Sequence, residues 1–166
     1  DAETYGTSET MAKSGNIKQF AGQRLRELFP RATSWQEQID FRVGSQTVDL
    51  MVRFKMGTAE PTLIVESSSV GQPRQIRETI TRLAEVRRDL PSSYSVVVAD
   101  YVSPQSAALL KRSGLGYLDL SGNCYLSFDH VLIEKDGKPN LRPSTRPLRS
   151  LFAPRATRVT RVLLVD

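Results

Sequence analysis

This chain of 166 residues has few of the residue types on which several common kinds of site depend. It contains one cysteine, Cys124, and one histidine, His130. A single cysteine excludes a disulfide bond within the chain and fits a reducing cytoplasm. A single histidine excludes a histidine-rich zinc site and disfavours a serine protease-like triad. Any bound metal ion would therefore have oxygen ligands, which favours Mg²⁺, Mn²⁺ or Ca²⁺.

Long hydrophobic runs are also missing. No stretch of about 20 apolar residues is present, so the sequence predicts no membrane-spanning helix. The N-terminus begins with polar and acidic residues rather than a signal peptide, and the expected location is the cytoplasm. Apolar residues make up 39% of the chain and charged residues 25%, as in ordinary globular domains. The length suits one domain with its own core.

Acidic residues are absent between positions 138 and 165, although the chain contains 18 of them. The net charge is +5, which favours a polyanionic partner such as DNA. The same region is rich in proline and arginine. It is interpreted either as a solvated basic tail or as a phosphate-contacting segment. The basic residues of this region are Lys138, Arg142, Arg146, Arg149, Arg155, Arg158 and Arg161.

Two carboxylates are predicted to meet on neighbouring strands. Residues 47–52 and 62–68 have strand-like composition and are joined by a turn. If Phe54 pairs with Pro61, the antiparallel register places Asp49 opposite Glu66, with Cβ atoms about 5 Å apart. Two carboxylates at this distance repel each other, and either a bound divalent cation or a raised pKa relieves the repulsion. The sequence therefore leaves two interpretations of Asp49 and Glu66, a Mg²⁺ or Mn²⁺ site or a polar cluster that pairs with nearby arginines.

The spacing of apolar residues predicts an α/β fold, in which helices flank a mixed β-sheet. The expected order is a helix, three strands, a helix, a strand, a helix and then further strands. The turn signals Pro73, Ser103, Pro104 and Gly114 mark the ends of the later helices. The expected parts of the chain are a disordered segment at 1–11, a domain at 12–136, a Pro/Arg-rich linker at 137–154 and a helical start at 155–166.

With Asp49 on its second strand and Glu66-Ser67-Ser68 on its third, this order resembles the PD-(D/E)XK, or restriction-endonuclease-like, superfamily over residues 12–134. The resemblance implies that Asp49 and Glu66 are metal ligands and that Glu27 matches the acid that some members carry on the first helix. It also implies that Gln72 or Gln75 lies near a scissile phosphate. Ser68 stands where these enzymes have lysine, so the resemblance implies a catalytically degenerate site.

Three longer segments, 71–77, 116–128 and 149–159, are similar to a bacterial family of regulators. In that family a nuclease-like domain precedes a winged helix-turn-helix, and some members are labelled type IV (abortive-infection) antitoxins. The resemblance implies that residues 155–166 begin the winged helix. It also implies DNA as a partner, and it leaves open a homodimer and a cognate toxin protein.

Several residues keep two interpretations. Lys55 or Arg74 could replace the missing lysine from another position. Asp119, with Asn123, either forms a turn or lies in the cleft near Glu66. The arginines of the second helix form a solvated face, or Arg74 and Arg77 contact phosphate together with Gln72. Basic residues of the tail that would contact nucleic acid are Arg149, Arg155 and Arg158.

Three functions remain open from the sequence. The first is a catalytically degenerate, nuclease-like domain of a DNA-binding transcriptional regulator or antitoxin. The second is an active Mg²⁺-dependent DNA endonuclease that uses Asp49, Glu66 and Gln75. The third is a protein-interaction or dimerisation domain that makes no contact with nucleic acid.

Overall fold

The computed structural model describes residues 4–68 and 71–141, with side chains from residue 16 onward. Seven strands of this part form one sheet, in which spatial order follows chain order. The three central strands are parallel to one another, and the flanking pairs are antiparallel. The predicted class, a mixed sheet flanked by helices, is confirmed. The elements are α1 (Thr4–Leu28), β1 (Thr33–Val43), β2 (Gln46–Lys55), β3 (Thr62–Ser68), α2 (Pro73–Asp89), β4 (Ser93–Ala99), α3 (Pro104–Arg112), β5 (Gly116–Asp119), β6 (Cys124–Phe128) and β7 (Val131–Lys135).

Helices cover both faces of the sheet. Ala21 and Leu25 of α1 pack in one core cluster, and residues of α2 and α3 pack in a second. Strand β4 serves both clusters, since Val96 and Val98 belong to the first and Val97 to the second. A strand buried on both faces is expected to be apolar throughout its middle, as Val96-Val97-Val98 is.

The predicted helix ends are confirmed for α2 and α3. Helix α2 begins at Pro73, whose missing N–H would have no partner in the first turn. Ser103 caps α3 by accepting a hydrogen bond from the backbone N–H of Ser106, at 3.2 Å. Gly114 follows the end of α3 with φ at +71°, a conformation that favours glycine.

The N-terminal part differs from the expectation of disorder over residues 1–11. Helix α1 begins at Thr4, so most of that segment is helical. No proline interrupts the segment, and Glu9, Met11 and Ala12 are good helix formers that extend the helix ahead of Ile17. The predicted winged-helix start, 155–166, and most of the predicted linker lie outside the described residues. Within the described ranges, no helix is long and apolar enough to cross a membrane.

Candidate functional site

The predicted register between β2 and β3 is confirmed. Leu50 pairs with Val65, and the Phe54 backbone N–H donates to the carbonyl of Pro61 at 3.4 Å. Asp49 and Glu66 are the next residues in this register, and the backbone ladder ends before them. At Asp49 and Glu66, the two strands are joined by hydrogen bonds that involve side chains instead of backbone pairs. The Asp49 carboxylate accepts from the backbone N–H of Ser67 at 2.7 Å and also from its hydroxyl group. The Asp49 backbone N–H is 3.4 Å from Glu66 Oε2.

Strand β2 rotates about its axis at Asp49. Leu50 packs in the cluster under α1, whereas Val48 packs in the cluster under α2 and α3. Regular alternation along the strand would place both residues on one face of the sheet. The neighbouring strand β1 is irregular at the same level, because Asp40 has φ at +52°. At this level the Asp49 side chain faces α1, where it contacts Lys18.

Lys18 of α1 lies between two carboxylates. Its ammonium group is 2.7 Å from Asp40 Oδ1 and 3.3 Å from Asp49 Oδ1. The hydrogen bond to Asp40 is the main cause that raises the pKa of Lys18, and Asp49 adds to it. Lys18 therefore stays charged and offsets part of the negative charge of Asp40 and Asp49 from the α1 side of the sheet.

Arg82 of α2 contacts the other acid. Its guanidinium group binds the carboxylate of Glu66 and the backbone carbonyl of Thr47. Glu66 is 4% exposed. Burial, and then the charge of Asp49, raise the pKa of Glu66 to about 7, while Arg82 opposes the rise. The two acids of the pair are thus bound by cations that come from opposite faces of the sheet.

This arrangement does not fit a divalent metal ion. Asp49 already accepts from Ser67 and Lys18, and Glu66 is bound by Arg82. Within residues 16–68 and 71–141, no group of three or more His, Cys, Asp or Glu side chains is placed to hold a metal ion. A Mg²⁺ or Mn²⁺ ion usually needs several oxygen ligands, and here it would have to displace two protein cations. The interpretation of Asp49 and Glu66 as a polar cluster paired with cations therefore fits this arrangement better than the interpretation as a metal site.

Neither Lys55 nor Arg74, the two proposed replacements for the missing lysine, brings a positive charge to Asp49 and Glu66. Ser68, at the position of that lysine, has no charge. Ser68 is buried and pairs in register with Ala99 of β4. Lys55 ends β2, six residues from Asp49, which corresponds to about 20 Å along a strand. Arg74 has a side chain that is 90% exposed and lies 3.6 Å from Glu78.

The predicted polar residues at the start of α2 lie mostly at the surface. Gln72, Arg74 and Arg77 are exposed, as phosphate-contacting residues would be. Gln75 is half-buried, and its Oε1 atom is buried without a hydrogen-bond partner. Gln75 precedes Arg82 by two helical turns, so both residues lie on one side of α2. Arg149, Arg155 and Arg158 lie outside the described residues.

Glu27 is not part of the acid cluster. It is exposed and forms an ion pair with Arg24 of its own helix, at 3.0 Å. Along α1 it lies nine residues beyond Lys18, which corresponds to about 13 Å. The position that approaches Asp49 from the first helix is therefore a lysine and not the acid that the resemblance implied.

Asp119 and Asn123 form a buried turn, the first of their two interpretations. Asp119 is 1% exposed. Its Oδ1 atom accepts from the Asn123 backbone N–H at 2.9 Å, and its Oδ2 atom accepts from the Asn123 amide at 2.8 Å and from the Val102 N–H at 3.2 Å. These three donors leave the carboxylate little capacity for a ligand.

Lys18 and Ser67 were missed from the sequence, and Arg82 was not singled out among the nearby arginines, although Lys18 and Arg82 carry a weak signal. Lys18 lies on the same side of α1 as Ala21 and Leu25, and both of these residues are buried. A lysine on this side of the helix indicates a charged partner at the edge of the core. Arg82 directly precedes the buried Leu83 and lies two turns after Gln75. Ser67 has no such signal.

Comparison with known proteins gives two similar solved structures. No family model matches the chain, and no curated protein matches it. One structure is a repair endonuclease from Pyrococcus abyssi, with 15% identity and a TM-score of 0.42 over 52% of this chain and 38% of that chain. The other is an EndoMS–dsDNA2 complex, with 16% identity and a TM-score of 0.41 over 58% of this chain and 42% of that chain. This chain thus spans about two-fifths of the length of either structure.

Proposed function

We propose that this chain is a nuclease-like domain of a bacterial DNA-binding regulator or antitoxin, and that it does not cleave DNA. The observation that supports the proposal is the pairing of both acids with protein cations. Metal-assisted cleavage requires acids that are open to a metal ion, together with a positive group that stabilises charge on the phosphate. Here Arg82 and Lys18 occupy the acids, and Ser68 stands where the superfamily has lysine.

The same pairing favours binding of DNA without cleavage. An open pair of carboxylates repels a phosphodiester unless a metal ion lies between them. Lys18 and Arg82 set two positive charges against the three acids Asp40, Asp49 and Glu66, so the repulsion of a polyanion is reduced without a metal ion. The chain as a whole has a net charge of +5. Exposed arginines at the start of α2, Arg74 and Arg77, are suited to phosphate contacts.

Cleavage is tested with supercoiled plasmid and Mg²⁺ or Mn²⁺, beside a lane with EDTA. We expect that the folded wild-type protein does not nick the plasmid. We also expect that the same protein retards DNA in a gel. Metal-dependent nicking that the Asp49→Ala/Glu66→Ala variant lacks would contradict the proposal.

DNA binding is tested through its dependence on salt. Each phosphate contact that is lost lowers the slope of log K against log salt by about 1. We expect Arg74→Ala/Arg77→Ala to weaken binding of unrelated DNA sequences equally and to reduce the slope. Arg87→Ala/Arg88→Ala is the matched control, since these exposed arginines end the same helix. A wild-type protein that binds no DNA, and associates only with itself or with a protein partner, would favour the interaction-domain function.

An active endonuclease is the second candidate, and one contact favours it. Lys18 Nζ lies 3.3 Å from Asp49 Oδ1, so a lysine is present at the acids although it comes from α1. If Lys18 replaces the missing lysine, Lys18→Met abolishes nicking while the variant stays folded. If the folded wild-type protein does not nick DNA in this assay, this candidate is excluded.

A further inference from the structure

The sheet ends in two edge strands, β1 and β7, which differ in their regularity. An edge strand presents backbone N–H and C=O groups that can pair with another strand, and bulges usually prevent this. The register of β1 shifts between Thr33 and Gln36, and Ser34 and Asp40 have φ at +51° and +52°. Strand β7 keeps one register with β6 along its whole length, and none of its residues has a positive φ. The edge that can accept a further strand is therefore β7.

The outward backbone groups of β7 follow from its hairpin with β6. Phe128 and Val131 pair across a two-residue turn. The closing pair of such a hairpin is hydrogen-bonded, and residues that bond to the partner strand then alternate with residues whose groups point away from it. The N–H and C=O groups of Leu132 and Glu134 therefore point away from β6. Within residues 71–141, no strand pairs with them.

Three apolar residues follow one another in this edge strand. Leu132 is 69% exposed. Val131 and Ile133 are half-buried and pack against the core cluster under α1. Natural edge strands that face solvent are usually protected by charged or irregular residues instead. The middle of β7 is thus suited to contact with another protein surface.

Charged and polar residues flank this apolar stretch on both sides. Asp129 and His130 form the turn before it, Glu134 and Lys135 follow it, and all four are exposed. Asp129 and Lys135 form no ion pair within residues 16–68 and 71–141. Glu134 pairs with Lys111 of α3 through Oε1 only. Because an acid precedes the apolar residues and a lysine follows them, the segment is complementary to a copy of itself that runs in the opposite direction.

The side chains select one register for such a pair of strands. A two-fold axis at Glu134 would place like charges directly opposite each other, which is destabilising. An axis at Ile133 would place Leu132 opposite Glu134 and Val131 opposite Lys135. An axis at Leu132 places Leu132 opposite its own copy and Val131 opposite Ile133. Only the axis at Leu132 matches apolar residues with apolar residues at every strand position on both sides of it.

The same register brings opposite charges together at both ends. Lys135 of one copy lies opposite Asp129 of the other, and Glu134 lies opposite His130. The second oxygen of Glu134 is available to the imidazole ring, since the pair with Lys111 uses Oε1. Two-fold symmetry makes each of these contacts twice. Cross-strand pairs of this kind stabilise antiparallel strands.

We propose that β7 is a dimerisation edge, at which a second copy of this chain pairs antiparallel in the register centred on Leu132. The sheets of the two copies then form one continuous sheet across the two-fold axis. Three strands separate β7 from β3, which carries Glu66, so the contact leaves the acid pair uncovered. The proposal does not depend on DNA binding, and a monomer that retards DNA would overturn the dimer alone.

Self-association is tested by analytical ultracentrifugation of the full chain over a series of concentrations. We expect an equilibrium between monomer and dimer. Leu132→Asp places two like charges opposite each other at the centre, and it should weaken the dimer at least about tenfold. The variant should fold as the wild type does, because Leu132 is exposed. Leu141→Asp is the matched control, since Leu141 is 70% exposed and lies outside β7, and it should dimerise as the wild type does.

The register is tested by oxidative cross-linking. Directly opposed residues of a hydrogen-bonded pair have Cα atoms about 5.5 Å apart, which suits a disulfide bond. Leu132→Cys should therefore form a disulfide-linked dimer on mild oxidation. Lys135→Cys should not, because the two copies of position 135 would lie about 20 Å apart. The native Cys124 is buried and is common to both variants.

The charges at the ends are tested by reversal and rescue. Lys135→Glu places an acid opposite Asp129 and should weaken the dimer about tenfold. Adding Asp129→Asn removes that repulsion and should recover part of the affinity, and asparagine tolerates the φ of +47° at this position. A wild-type monomer at every concentration, a dimer that Leu132→Asp leaves unchanged, or cross-linking by Lys135→Cys but not by Leu132→Cys would each overturn the proposal.

Discussion

The guanidinium group of Arg82 binds the carboxylate of Glu66, which is buried at the end of β3. The same guanidinium group contacts the carbonyl of Thr47 on β2, so one side chain from α2 joins two strands at the point where their ladder ends. This contact makes Glu66 part of the packing between helix and sheet.

Removal of Arg82 should destabilise the fold. In Arg82→Ala the Glu66 carboxylate and the Thr47 carbonyl lose a charged donor, which costs about 1–3 kcal/mol in the free energy of unfolding. Urea denaturation at about pH 8, where Glu66 is ionised, measures the change. Arg77→Ala, on an exposed part of α2, should change stability by less than about 0.5 kcal/mol. Arg82→Ala/Glu66→Gln should cost less than the sum of the single changes, and strict additivity would show that the contact is not made.

Stability should fall as the pH rises through the pKa of Glu66. The pKa of this group is about 7 in the folded chain and is raised from its ordinary value of 4.5. The folded state therefore binds the proton more tightly than the unfolded state does. The resulting stabilisation is complete below the unfolded pKa and is lost as the pH rises through about 7. Urea denaturation between about pH 5 and pH 8 should show this loss, and Glu66→Gln should flatten it. A Glu66→Gln profile with the slope of the wild type would assign the loss to another group.

The sequence predicted the parts of this site that local pattern determines. The turn between β2 and β3 and the apolar positions of both strands set the register, so the neighbourhood of Asp49 and Glu66 followed. The caps of α3 depend on residues next to each other in the chain, and they also followed.

The partners of the acids depend on packing between elements distant in sequence. Lys18 reaches Asp49 because α1 lies on one face of the sheet, and Arg82 reaches Glu66 because α2 lies on the other. No residue pattern within β2 predicts the change of face between Val48 and Leu50. This change coincides with the positive φ of Asp40 on β1, which no residue pattern of the second strand reveals.

Release of both acids from their cations should create the metal site that the native chain does not offer. Lys18→Met/Arg82→Met keeps much of the apolar length of both side chains and removes both charges. We expect this variant to bind Mn²⁺ in calorimetry at concentrations at which the wild type shows no heat of binding. Adding Asp49→Ala to the double variant should abolish the binding, which controls for sites elsewhere. Equal Mn²⁺ affinity in wild type and double variant would show that the cations do not block the acids.

Asp119 distinguishes a buried turn from a ligand-binding cleft. Asp119→Asn keeps the shape of the side chain but places an amide donor against the donors of Asn123 or Val102. Because a buried donor then lacks an acceptor, we expect a loss of about 1–3 kcal/mol in the free energy of unfolding. Faster hydrogen exchange is expected at the Val102 and Asn123 amides. Asp100→Asn, at an exposed position one residue after β4, should stay within about 0.5 kcal/mol. Weaker DNA binding by Asp119→Asn at unchanged stability would instead place Asp119 in a ligand-binding cleft.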